Sequence, residues 1–182
     1  LTQFDWHPTF DVPTEERVYN RAGELWTKRQ WTDNGRGQEL TATKIDPLNG
    51  AARTSTTSYC EASDVEAGRC PIGGLCTQMD GPRTDVDHTT IFAYYAQDDA
   101  GCATPTGSCD HRKGDLWKVT NALGQVEEVL KYDRSGRAIS SRDSNGIVTD
   151  QEYHPRGWLL RQVVRGSDNA TEADDAITLM EY

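Results

Sequence analysis

The residues best able to do chemistry are five cysteines, four histidines and many carboxylates. Cys102, Cys109 and His111, spaced Cys-x6-Cys-x-His with Cys76 as a fourth donor, offer a set for zinc. Structural zinc, however, favours tighter Cys-x2-4-Cys knuckles. Short polar loops closed by cysteines point instead to disulfides and an oxidising compartment. We expect Cys102–Cys109 and Cys60–Cys70, with Cys76 left over; Cys70–Cys76 is the rival pairing. His7 and His154 each stand between an aromatic residue and a proline, as turn residues do. Asp98-Asp99 and Asp174-Asp175 lack the spacing of a calcium loop and read as solvated turns. Ile72-Gly-Gly-Leu75 lacks the lysine of a phosphate loop, and no Gly-x-Ser-x-Gly elbow occurs. The expectation is no enzyme, no metal and no cofactor. The aromatic residues are the other candidates. Trp26, Trp31, Trp117 and Trp158, if exposed on a β-surface, could stack on sugars; packing between strands is the alternative use. Asn169-Ala-Thr171 is a glycosylation sequon.

The elements that would position these residues are strands. Only 35% of the 182 residues are apolar, against roughly 45–50% (glycine included) in a typical globular domain. Seven Tyr, five Trp and sixteen Gly accompany many Thr and Val, a mixture that suits half-polar strands joined by turns. A net charge of -10 without a basic stripe argues against nucleic acid and against an anionic membrane surface. No run of about 18 apolar residues is present to span a bilayer. The chain opens and closes in strand-like sequence, which we read as a fragment, residues 1–182, of a longer polypeptide.

An internal repeat organises the chain. Tyr132 and Tyr153 are 21 residues apart, as are Gly136 and Gly157. Each unit reads glycine, strand, tyrosine, three residues, glycine, strand. Asp133 opens a turn through its side-chain acceptor, Gly136 takes the left-handed position, and Asp143-Ser-Asn-Gly146 turns the chain again. Tyr19-Asn-Arg-Ala-Gly23 repeats the element, Trp31-Thr-Asp-Asn-Gly35 does so loosely, and Trp6-His-Pro echoes Tyr153-His-Pro. Residues 60–76 and 96–112 are expected as cysteine-containing loop insertions, and 167–176 as an acidic one. In the strand before Tyr132, Val126, Glu128, Leu130 and Tyr132 share one face, and Gln125, Glu127, Val129 and Lys131 share the other. Neither face is dry, unlike the inner face of a β-sandwich.

Tyr132-Asp133-x-x-Gly136-Arg137, followed by Asp143 to Gly146, resembles the signature of the RHS/YD-repeat family, most clearly over residues 114–166. The resemblance implies an all-β fold of antiparallel strand-turn-strand repeats in a spiralling sheet, part of a hollow β-shell. It further implies a secreted or cell-surface parent, in bacteria often a polymorphic toxin, whose shell encloses or presents a C-terminal effector. The partners would then be other repeats and the C-terminal segment of the same parent. The alternative is a cell-surface carbohydrate-binding adhesin module.

Overall fold

The computed structural model describes residues 1–104, 108–167 and 171–182. It is all-β, with thirteen strands, one short helix and one 3-10 turn among the described residues. Every strand pairing described is antiparallel between sequence neighbours. This is the meander that short turns between alternating sequences produce.

Two compact units divide the chain: Leu1–Tyr59 with Cys76–Thr90, and Cys60–Leu75 with Ile91–Tyr182. The first unit is built on β1 (Thr2–Trp6), β2 (Pro13–Tyr19), β3 (Leu25–Asp33), β4 (Glu39–Ile45), β5 (Ala52–Tyr59) and β6 (Cys76–Asp80). The second is built on β7 (Thr90–Tyr94), β8 (Leu116–Thr120), β9 (Val126–Tyr132), β10 (Ala138–Arg142), β11 (Val148–Tyr153), β12 (Leu159–Val164) and β13 (Ala176–Leu179). Helix α1 (Ala62–Glu66) belongs to the second unit, as does the 3-10 turn Ala100–Ala103.

Little of the sheet in either unit is covered. Among the described residues only Cys60, Val163 and Ser140 are buried. What binds strand to strand, besides the backbone ladder, is rows of polar pairs across neighbouring strands. On β8, β9 and β10, Glu128 stands between Lys118 at 2.9 Å and Arg142 at 3.0 Å. On β10 and β11, Ser140 donates to Asp150 at 2.6 Å, and Asp150 also pairs with Arg165 at 2.7 Å. Arg165 in turn holds Asp175 at 2.8 Å, tying the segment before β13 to the end of β12. Alternating signs across strands stabilise a sheet where a dry face is missing.

The loops that carry cysteines are pinned. The structure contains disulfides Cys60–Cys70 and Cys102–Cys109. Ile72, just beyond the first, lies against Gly114 at the turn between β7 and β8, so that a β-carbon on Gly114 would come within 2.6 Å of its Cδ1. The sequon residue Asn169 lies outside the described residues. No described helix is long and apolar enough to cross a membrane.

Candidate functional site

The best-defined site is the turn that follows a tyrosine strand. At Asp133 the backbone N–H donates to the Arg137 carbonyl at 2.8 Å, and the Gly136 N–H donates to the Asp133 carbonyl at 3.0 Å. The Asp133 carboxylate accepts from the Ser135 and Arg137 backbone N–H groups at 2.8 and 3.0 Å. Gly136 has φ +77°, a left-handed conformation that strains a residue with a β-carbon. The same frame recurs with Asn20 and Gly23, Asn34 and Gly37, Asn121 and Gly124, Asp143 and Gly146, and His154 and Gly157. An asparagine or aspartate oxygen captures the N–H groups two and four residues on in each case but His154, where Nδ1 accepts from Arg156 N–H. His7 acts likewise, its Nδ1 accepting from the Thr9 and Phe10 N–H groups.

One repeat position differs from the sequence reading. The turn after Trp31 does not use Gly35. It is framed by Asn34 and Gly37, whose φ is +73°. The strand runs two residues further, to Asp33, because the place of Asp133 falls here on Thr32, whose hydroxyl pairs with Thr41 across the strands, while Asn34 supplies the turn acceptor. The turn from Asp46 to Gly50 is one residue longer than the others.

Arg137 makes the motif more than a local turn. Its Nε donates to Asp133 Oδ2 at 2.6 Å, closing the side chain onto its own turn. Its Nη1 donates to the His154 carbonyl at 3.2 Å, and its guanidinium lies 4.8 Å from the centre of the Tyr153 ring. One side chain thus joins two successive tyrosine turns, using the planar fork that lysine lacks. Burial raises the Asp133 carboxyl pKa, but the Arg137 and Ser135 N–H groups and the Arg137 guanidinium outweigh it and hold the carboxyl below its ordinary value.

A feature without a sequence signature accompanies these turns. Tyr19 pairs with Leu25 while Val18 pairs with Thr27, leaving Trp26 as an extra residue, a β-bulge. Tyr94 pairs with Leu116 and Ala93 with Lys118, leaving Trp117 extra. Tyr132 and Tyr153 precede bulges at Ile139 and Leu160, and the β9–β10 pair has a second irregularity at Leu130 of β9. The alternate hairpins β8–β9 and β10–β11 have regular registers through their turns. Antiparallel strands place successive turns at opposite edges. In the second unit, bulges therefore occur after the turns at one edge and are missing at the other.

The four tryptophans differ in what covers them. Trp158 is flanked by His154, stacked at 5.2 Å, and by Tyr182 at 5.6 Å. Trp117 has the Lys118 ammonium 3.9 Å from its ring centre and Tyr95 at 5.9 Å. Trp31 is half-buried within β3. Trp26 is 71% exposed and borders a cleft of about 780 Å3 in the first unit. Sequence reasoning named all four without distinguishing them.

Among the described residues no group of three or more His, Cys, Asp or Glu is placed to hold a metal. Cys102 and Cys109 are bonded to each other, and His111 stacks on Tyr95 at 3.6 Å. Burial raises the pKa of the Cys76 thiol, opposite to what an activated nucleophile needs.

The RHS Repeat family model matches residues 132–170. No curated protein matches the sequence. Among solved structures, the chain is similar to the Photorhabdus luminescens Tc holotoxin pore at 11% identity and TM-score 0.25. It is also similar to TcdB2-TccC3 without its hypervariable C-terminal region, at 12% identity and TM-score 0.27. Both matches cover 85% of this chain and 10% of the solved chain, so the sequence spans about a tenth of the length of these relatives.

Proposed function

We propose that this chain, which carries an RHS repeat at residues 132–170, is a length of wall in a larger exported polypeptide and performs no catalysis. Its repeats pair with further repeats of the same parent, and the wall encloses or presents that parent's C-terminal effector or toxin segment. Residues 1–182 act as one repeat segment, with 60–76, 96–112 and 167–176 as insertions. The observation that carries this reading is the placement of the bulges. A bulge adds a residue to one strand, bends it and increases its twist. Bulges after β7, β9 and β11 recur at one edge of the second unit, so their bends accumulate in one sense. A curved single-layer sheet that tolerates polar residues on both faces suits a wall around another chain. Two disulfides fit an oxidising, extracellular setting. The test is limited proteolysis of the parent polypeptide, read by mass spectrometry. Enclosure predicts that the C-terminal segment resists cleavage when joined to the repeats and is digested alone. Equal cleavage in both settings removes enclosure.

A carbohydrate-binding adhesin module is the second reading, supported by Trp26. Its indole is the most exposed of the four candidates, has no aromatic or cationic cover among the described residues, and borders a cleft. Glycan binding that disappears in Trp26→Ala supports this role, and binding that survives removes Trp26 from it.

A further inference from the structure

The cleft beside Trp26 is bordered by a row of like charges. Across the neighbouring strands β2, β3, β4 and β5, Glu16 is paired with Arg29, Arg29 with Lys44, and Lys44 with Arg53. Residues directly opposed on adjacent strands point to the same face. This face therefore carries three cations in a row with one carboxylate at its far end. Glu16 reaches Arg29 at 3.5 Å. Lys44 and Arg53, both exposed, form no ion pair among the described residues. On β8 to β10 the row Lys118, Glu128 and Arg142 alternates in sign, and where Arg17 opposes Lys28 the Glu15 carboxylate pairs with both. Like charges opposed across strands are destabilising unless an anion lies between them.

We infer that this cleft binds an anionic saccharide, one bearing carboxylate or sulfate groups. The inference deepens the carbohydrate reading of Trp26 and rests on it. Trp26, Lys44 and Arg53 line the cleft together, and Leu48, 93% exposed, projects at its rim. The two carboxylates that also line it are engaged by their own turns. Glu24 accepts from the Asn20 amide at 2.8 Å, and Asp46 accepts from the Leu48 N–H at 2.9 Å. Both carboxylates keep their charge, but neither forms an ion pair with Lys44 or Arg53, so the two cations are open to a ligand's anionic group. An indole offers a flat apolar face to the C–H side of a sugar ring, while the ammonium and guanidinium take its anionic substituent. A chain of net charge -10 repels a polyanion at long range. A local cation pair is therefore needed for such a ligand to bind at all.

The test is calorimetric titration of the full chain with three probes: an oligogalacturonate, a heparin-derived oligosaccharide and a neutral dextran oligosaccharide. Binding of either anionic probe in preference to dextran is expected, and the stronger of the two identifies carboxylate or sulfate as the recognised group. Lys44→Gln with Arg53→Gln should weaken anionic binding roughly tenfold or more. The same pair of substitutions should leave unfolding stability equal or higher, since it relieves repulsion. Trp26→Ala should remove binding of every probe. Trp26-dependent binding of dextran and anionic probes with equal affinity overturns the anionic assignment and leaves the carbohydrate reading standing. No binding of any probe overturns both. Anionic binding that survives Trp26→Ala overturns this cleft as its site.

Discussion

The phenols of Tyr132 and Tyr182 occupy equivalent places in two different hairpins. Each donates a hydrogen bond to the carbonyl of the residue two positions after a turn glycine on the neighbouring strand. Tyr132 reaches Leu116, after Gly114, at 2.7 Å, and Tyr182 reaches Leu159, after Gly157, at 3.0 Å. Tyr132 is therefore a latch to the strand before it and Arg137 a link to the turn after it, whereas the Tyr153 hydroxyl donates to Gln151 Oε1 on its own strand at 3.1 Å. Tyr132→Phe removes a partner from a half-buried carbonyl and should cost about 1 kcal/mol, a fall of a few degrees in Tm. Tyr182, 77% exposed, should lose less on the same change because water replaces the phenol. Thermal denaturation of the two variants checks the ranking, and a larger loss at Tyr182 contradicts it.

Arg137 should not be replaceable by lysine. An ammonium cannot hold Asp133, reach the His154 carbonyl and lie over the Tyr153 ring at once. Arg137→Lys is expected to destabilise by about 1 kcal/mol in urea unfolding, close to the cost of Arg137→Ala. A lysine variant as stable as the parent would leave the linking role without support.

The turn register separates two glycines. Gly136→Ala forces a β-carbon into a left-handed conformation and should cost about 1–2 kcal/mol. Gly35 has no positive φ, and a β-carbon added there would meet open space, with nothing within 4 Å. Gly35→Ala should therefore be neutral or slightly stabilising. Urea midpoints for the pair check this directly. A loss at Gly35 comparable to that at Gly136 would restore Gly35 as the turn residue.

Stability should fall at both ends of the pH scale. Burial, with the charge of Asp115 and the neighbouring Tyr95, pushes the Tyr132 phenol up to about 12. Above its ordinary value of 10.0 the unfolded chain releases this proton while the folded chain keeps it. The contribution is therefore complete below that value and lost as pH rises toward about 12. Glu128, held below its ordinary value chiefly by the hydrogen bond from Lys118, acts in the opposite sense. Its contribution is present above the ordinary carboxylate range and is lost as pH falls through its lowered pKa. Denaturation midpoints across pH, with tyrosinate absorbance on the alkaline side, should show both flanks. In Tyr132→Phe the alkaline flank should be shallower.

Opening the disulfide Cys102–Cys109 should loosen a local segment more than the sheet. His111 lies two residues beyond Cys109 and stacks on Tyr95 at 3.6 Å, while the strand ladder does not pass through the loop. Cys102→Ser with Cys109→Ser is expected to raise hydrogen exchange over residues 96–112 and to leave β10 to β12 protected. Equal loss of protection in those strands would show that the loop supports the whole unit.

The strands, the turn residues at Asp133, Asp143 and His154, and the glycines that follow them were legible in the sequence. They depend on short-range causes: side-chain acceptors two to four residues from their donors, and backbone conformations open to glycine. Trp31 shows the limit of that reading. An aromatic followed four residues later by glycine resembles the motif, yet the capping place after it falls on Thr32, and Asn34 supplies the acceptor instead, so the turn lies two residues on. Spacing left Cys60–Cys70 and Cys70–Cys76 as rival disulfides, and the fold brings Cys60 and Cys70 together. The bulges at Trp26, Trp117, Ile139 and Leu160 did not follow from spacing, since an extra residue in a strand exists only relative to the strand opposite. The covering of Trp158 by His154 and Tyr182, the exposure of Trp26, and the row of Arg29, Lys44 and Arg53 likewise belong to the tertiary structure. Local sequence decides where this chain turns. Only strand pairing decides which residues, distant along the chain, face one another, and so where the sheet bends and where its charge is left unmatched.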